Sequence, residues 1–167
     1  MHFEFTDALN LVSTVTLIGA FVFTGLQVRA ANRARREQAA VTVIQTTALS
    51  ENSARILDLL GNLPQDASAD VIEGLDAETR RQILQFGLRL EVTGYMVSHG
   101  LVDLQIINEL GGGAILGFWS RARRWSQERR KRTGEGEFLE WCEWLVTQIE
   151  RDRAKRGYVP AYSRPGN

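Results

Sequence analysis

Cysteine is almost absent. The single Cys142 leaves no partner for an internal disulfide and too few thiolates for a multi-cysteine zinc or iron–sulfur site. Histidine is nearly as scarce: there are two, His2 and His99, and no HExxH, GxxxxGK[ST] or GxSxG pattern occurs. Three prolines and no evenly spaced strand-and-turn pattern argue against an all-β fold. Net charge is missing too, because 20 Lys+Arg balance 20 Asp+Glu. A hydrophobic share of 44% and a charged share of 24% argue against disorder, collagen and a pure coiled coil. The length, 167 residues, suits one modest domain.

One local absence says more than these averages. Residues 1–28 contain no Lys or Arg, and Ala8 to Val28 carries no formal charge. As a helix rising about 1.5 Å per residue, that stretch spans roughly the thickness of a bilayer's hydrocarbon core. Asn10, Ser13, Thr14, Thr16 and Thr24 interrupt it. Serine and threonine hydroxyls can bond back to the preceding turn, which lowers their cost in lipid. A secretory signal should open with positive charge, whereas Glu4 and Asp7 precede this run. The reading is a transmembrane helix over 8–28 after a short segment 1–7. Arg29, Arg33, Arg35 and Arg36 crowd its far side, so the N-terminus is expected outside and the remainder in the cytoplasm of a bacterial inner membrane. Those arginines can also meet anionic lipid headgroups, and a reducing cytoplasm suits a lone cysteine. Within the span, Thr16, Ala20 and Thr24 recur every fourth residue, with Gly19 and Gly25 nearby. Such a ridge is a candidate contact for another membrane helix.

Beyond residue 28, 20 basic residues face 18 acidic ones, too even a balance for a nucleic-acid binder. A juxtamembrane basic helix and a second short helix are expected over 29–61, with Val41, Ile44 and Ala48 as a sparse stripe and Ile56, Leu57, Leu59 and Leu60 ending at Gly61. A loop, with at most one helical turn near Val71, covers 62–75. The bundle proper is expected over 76–156 and an irregular tail over 157–167. Asp76 offers an N-cap to a helix that Gly100 ends. Ile83, Gly87, Leu90, Gly94 and Val97 form its packing seam, the glycines permitting close approach. Asp103 caps a short helix to Leu110, Gly111–Gly113 break the chain, and another helix runs from about Ala114 to Arg132. The last helix is expected over Glu137 to Lys155. Phe86, Tyr95, Phe118, Trp119, Trp125, Phe138, Trp141 and Trp144 are the expected aromatic core. The fold class is therefore all-α: one membrane helix followed by a cytoplasmic bundle of four or five helices.

The runs EVTGYMVSHGLVD, FWSRARRW and FLEWCEWL resemble a family of uncharacterised bacterial proteins with a membrane helix and a helical domain of unknown function. The resemblance covers about residues 80–150 and rests on Glu91, Gly94, Gly100, Leu101, Trp119 and the last aromatic run. It implies an all-α membrane-anchored protein and brings no activity with it.

Candidate chemistry is sparse. Cys142, between Phe138 and Leu145, reads as a small buried hydrophobe, and His99 as a satisfied helix-end residue. The triple glycine reads as a helix boundary rather than an anion cradle. Glu91 is the carboxylate of most interest; a buried carboxylate needs a partner, and Arg121 or Arg124 is expected to supply an ion pair. Arg123 with Arg130, and Arg124 with Lys131, fall one heptad apart and are candidates for an acidic partner or lipid. No catalytic, cofactor or metal residue is identified. The expected function is a non-enzymatic accessory, assembly or scaffold subunit of a larger membrane protein complex. A self-associating homo-oligomeric sensor or effector is the alternative. An enzyme that uses Glu91 and the arginines on a phosphorylated ligand is a third reading. Nucleic acid is not expected as a partner.

Overall fold

Proline-poor sequence with apolar residues at helical spacing gives helices throughout. The computed structural model describes the backbone of residues 5–47, 51–159 and 163, and the side chains of 13–45, 55, 56, 58–159 and 163. His2, Ala48, the side chains of Asn10 and Leu57, and tail residues 160–162 and 164–167 lie outside the described set. Among the described residues there are six α-helices and no strand. They are α1 (Phe5–Thr47), α2 (Glu51–Gly61), α3 (Ala69–Glu73), α4 (Ala77–Ser98), α5 (Leu104–Thr133) and α6 (Glu140–Arg156). The chain divides into two units, Met1–Arg36 and Glu37–Asn167.

In the first unit every described side chain is exposed. Val15, Leu17, Ile18, Val22, Phe23 and Leu26 are each more than half exposed, and Phe21 is 72% exposed. A run of large apolar side chains without protein cover is costly in water. The described part of this helix is long and apolar enough to cross a membrane. Thr24 Oγ1 donates to the Ala20 carbonyl at 2.8 Å, the back-bond that lowers the cost of a hydroxyl in hydrocarbon.

The second unit begins inside α1, at Glu37. Helical geometry continues through the arginines, and bundle packing starts where Ala40 and Ile44 become buried. α2 contributes Ile56 and Leu60 to the core, α3 contributes Ala69 and Ile72, and the preceding turn contributes Ala67. α3 is the helical turn expected near Val71, this segment belongs to the bundle, and α2 to α6 are the five helices after α1. Asp76 caps α4 by accepting from the Glu78 and Thr79 N–H groups. Asp103 does the same for α5 through Gln105 N–H.

The seam of α4 packs as its spacing implies: Ile83, Gly87, Leu90, Gly94 and Val97 are all buried. At Gly94 the close approach is absolute, because a Cβ there would fall on the Trp141 carbonyl group, 2.7 Å from its carbon. At Gly87 a Cβ would lie 3.1 Å from Leu139 Cδ2 and 3.2 Å from Phe118 Cζ. Phe86, Phe118, Trp119 and Trp125 are core residues, with Phe86 edge-on to Phe118 at 5.2 Å between centroids. Phe138, Trp141 and Trp144 are half-buried. Tyr95 corrects its expected place in the core: it is 46% exposed. It sits about 100° around the helix from Gly94, outside the seam, with its ring against His99 and Trp141.

The triple glycine also corrects the expectation. Gly111–Gly113 do not end a helix; α5 runs unbroken from Leu104 to Thr133. Two of these glycines make room for neighbours instead. A Cβ on Gly111 would be 2.6 Å from Ile44 Cδ1, and one on Gly112 would be 2.6 Å from Arg153 Nη2 and Asn108 Oδ1. The real ends of the long helices use left-handed glycines, Gly134 after α5 (φ 74) and Gly157 after α6 (φ 61), as C-cap geometry requires.

These contacts separate glycines that the fold requires from one that it does not. Gly94→Ala is expected to destabilise the protein by about 3 kcal/mol through overpacking. Gly113→Ala, where an added Cβ meets nothing within 4 Å, should stabilise it by about 0.5–1 kcal/mol from helix propensity. Urea denaturation of both variants measures the contrast.

Candidate functional site

Glu91 is held by backbone, not by arginine. Its Oε1 accepts from the Trp141 N–H at 3.1 Å and its Oε2 from the Cys142 N–H at 2.9 Å. Those are the second and third amides of α6, the groups that an N-cap side chain ordinarily satisfies. The α6 cap residue is Leu139, which has no capping side chain and stands at φ 56 in the left-handed region. Its side chain is 1% exposed and plugs the space opposite Gly87. Leu139 therefore serves the core at the expense of the cap, and α4 supplies the missing acceptor from 50 residues away. The α6 start also falls three residues later than expected, at Glu140, because 137–139 form the turn that inserts Leu139.

The expected ion pair of Glu91 with Arg121 or Arg124 does not form. Arg121 donates to the Gly117 carbonyl and Ser120 Oγ, and Arg124 pairs with Glu128 at 2.7 Å. The other α5 arginines are also tied into the bundle. Arg123 grips both oxygens of Asp66, at 3.1 and 2.7 Å. Arg129 lies 3.5 Å from Glu135, with its guanidinium over the Phe138 ring. Arg130 bonds Glu143 and the Phe138 carbonyl, and Arg132 reaches Asp70 and Glu73. Of the pair expected to face solvent, Arg123 is exposed and Arg130 half-buried, each with an acid partner, and Lys131 is exposed. The signal that sequence reading missed is the acidic set on the short α3 region and α6, which gives Arg123, Arg130 and Arg132 their counter-charges.

Titration behaviour follows this wiring. Asp66 and Asp70 hold the guanidinium groups of Arg123 and Arg132 above their ordinary range, chiefly by hydrogen bonding. Glu128 accepts from the Ala69 N–H at 2.7 Å, and that bond, then Arg124, holds its carboxyl below the usual range. Burial pushes the Cys142 thiol far above its ordinary value, and the Glu91 and Glu143 charges add to it, so the thiolate needed for reaction is suppressed. His99 Nδ1 lies 2.9 Å from Ser98 Oγ and 3.0 Å from the Tyr95 carbonyl, a helix-end arrangement. Among the described residues, no cluster of three or more His, Cys, Asp or Glu side chains has metal-holding geometry.

One exposed face of the bundle is apolar. Leu88 (47% exposed), Val92 (59%) and Tyr95 (46%) follow one another at steps of four and three along the outer face of α4, and His99 continues the row. Leu101 (52%) lies just beyond the helix end. Trp141 borders the row through its edge-on contact with Tyr95. A 4-3-4 spacing is that of a helix packed on a helix, so α4 carries one buried seam and a second that is exposed among the described residues. Of the candidates in the apolar part of α1, Thr16, Ala20 and Thr24 with Gly19 and Gly25 are exposed, and a Cβ added at either glycine meets nothing within 4 Å. Arg29, Arg33, Arg35 and Arg36 are exposed on the same helix.

A family model described as a domain of unknown function, DUF4760, matches residues 13–149. The chain belongs to that family. The match runs from inside α1 to Ile149 in α6, so the DUF4760 region takes in both the apolar helix and the bundle. No curated protein and no solved structure matches the chain.

Two expected outcomes follow. Glu91→Ala should cost about 2–3 kcal/mol, since two amides at a helix start lose a charged acceptor, with Glu91→Gln intermediate in urea denaturation. Glu128 contributes stability that is complete above the ordinary glutamate range and is lost as pH falls through its lowered folded value. The melting-temperature gap between wild type and Glu128→Gln should therefore close on acidification, and a gap independent of pH would contradict the assignment.

Proposed function

We propose that the chain is a non-enzymatic accessory, assembly or scaffold subunit of a larger membrane protein complex. In this reading the apolar part of α1 is a single-pass anchor in a bacterial inner membrane, with the N-terminus outside and the bundle in the cytoplasm. The exposed row Leu88, Val92, Tyr95 on α4 carries the proposal, because apolar side chains at seam spacing on an outer face suit another helix. The anchor's ridge of Thr16, Ala20 and Thr24 offers the complex a second contact within lipid. Arg29, Arg33, Arg35 and Arg36 belong at the headgroup level, each worth on the order of 1 kcal/mol against an anionic surface. The α5 arginines have a structural role here, since their internal acids leave little charge to offer a partner. Nucleic acid remains unexpected.

The same exposed ridge would also serve a homo-oligomeric sensor or effector, and one experiment separates the two. A photo-crosslinker at Val92 in the full-length chain, expressed in its native membrane, should give a discrete adduct with another integral membrane protein. Leu88→Asp should abolish that adduct while changing stability by less than about 0.5 kcal/mol, as expected for an exposed position. An adduct of two copies would favour self-association, and no adduct at all would overturn the docking role of α4.

A further inference from the structure

Arg153 is bound differently from the ion-paired arginines of α5. Between α5 and the C-terminal end of α6 lies a half-open cavity of about 330 Å³, within the range of small-ligand sites. Its floor is Asn108, 4% exposed. The Asn108 amide bridges consecutive residues of α6: Nδ2 donates to Asp152 Oδ2 at 2.9 Å, and Oδ1 accepts from Arg153 Nε at 2.8 Å. A guanidinium has only donors and a carboxylate only acceptors, so this pair of partners fixes which way the amide faces. Gly112 has no side chain because the Arg153 fork occupies that space. The left-handed Gly157 ends α6 and turns the chain back, so that Tyr158 N–H donates to the Arg153 carbonyl at 3.1 Å. The Tyr158 ring then lies 4.1 Å from the Arg153 guanidinium carbon.

Asn108, Gly112 and Tyr158 thus hold one cation in place, and none of them neutralises it. Asp152 spends its other oxygen on Arg156 Nε at 2.8 Å. The α5 arginines of the ion pairs above each meet a carboxylate, whereas Arg153 meets a neutral amide and a neutral ring. Among the described residues no carboxylate lies within ion-pair distance of it. A partly desolvated guanidinium without a counter-charge is unfavourable, and its remaining N–H groups have the fork geometry that suits an oxyanion.

We infer that this cavity binds a monoanionic oxyanion group, a carboxylate or a phosphodiester, carried on a small apolar body. Arg153 is the anion-binding residue, Asn108 and Gly112 position it, and Tyr158 provides an apolar wall. Arg153 offers one cation, and the lining otherwise carries the Arg156–Asp152 pair and Glu109, so the site takes one negative charge and no more. A second charge would meet Glu109, which stands exposed at the rim with its Oε1 accepting from Gln105.

Titration calorimetry on the full-length chain in non-ionic detergent tests this with two probes, benzoate and monomeric dihexanoyl phosphatidylglycerol. Saturable binding of benzoate alone points to a soluble carboxylate, and of the phospholipid alone to a lipid headgroup; either result supports the site. Arg153→Gln should weaken the bound probe about tenfold or more. Glu109→Gln, a surface change that leaves the fold intact, should tighten it severalfold. No saturable binding of either probe at millimolar concentration overturns the inference. So does unchanged affinity in Arg153→Gln or, should that variant not fold, in Glu109→Gln.

Discussion

The start of α6 depends on a carboxylate from another helix. Leu139 adopts a left-handed backbone so that its side chain can fill the space between Gly87 and Phe118, a conformation that costs a non-glycine residue on the order of 1–3 kcal/mol. That choice leaves the first α6 amides without a local cap, and Glu91 closes the gap from α4. Gly94, one turn along, lets the two backbones come close enough for the bond to form. The α4–α6 pairing is the most extensive helix contact in the bundle, and Cys142, Leu145 and Ile149 follow this capped turn into the core.

Charge on α5 is mostly consumed internally. The α5 arginines link that helix to the α3 region through Asp66, Asp70 and Glu73, and to α6 through Glu143. Exposed pairs of this kind add little stability individually, but together they orient α3 and the Leu139 turn. Surface charge density was therefore a poor guide to where the molecule is open. Among the described residues the open places are the outer face of α4, where apolar side chains are exposed, and the Arg153 cavity, where the cation meets no acid.

The long periods of the chain were legible without coordinates. The all-α class, the apolar first helix, the caps Asp76 and Asp103, and the α4 seam all follow from spacing and composition, because helix formation and helix burial are written in local repeats. Reading failed wherever a residue's role was set by something distant. Three consecutive glycines look like a break, yet Gly111 and Gly112 are clearances for Ile44 and Arg153. Tyr95 looks like a core aromatic, and its angular position puts it outside. Glu91 was recognised as a carboxylate needing a partner, but the partner was backbone from a helix whose cap had been given up.

Sequence by itself determined which segments are helical, which of them is apolar enough for lipid, and which stripe of α4 is buried, since each depends on neighbours three or four residues away. Tertiary structure alone decided the pairing of charges, the function of each glycine, and the two unsatisfied surfaces. Those depend on side chains meeting across tens of residues, and a hydrogen bond or a steric clearance leaves no periodic trace in the chain that makes it.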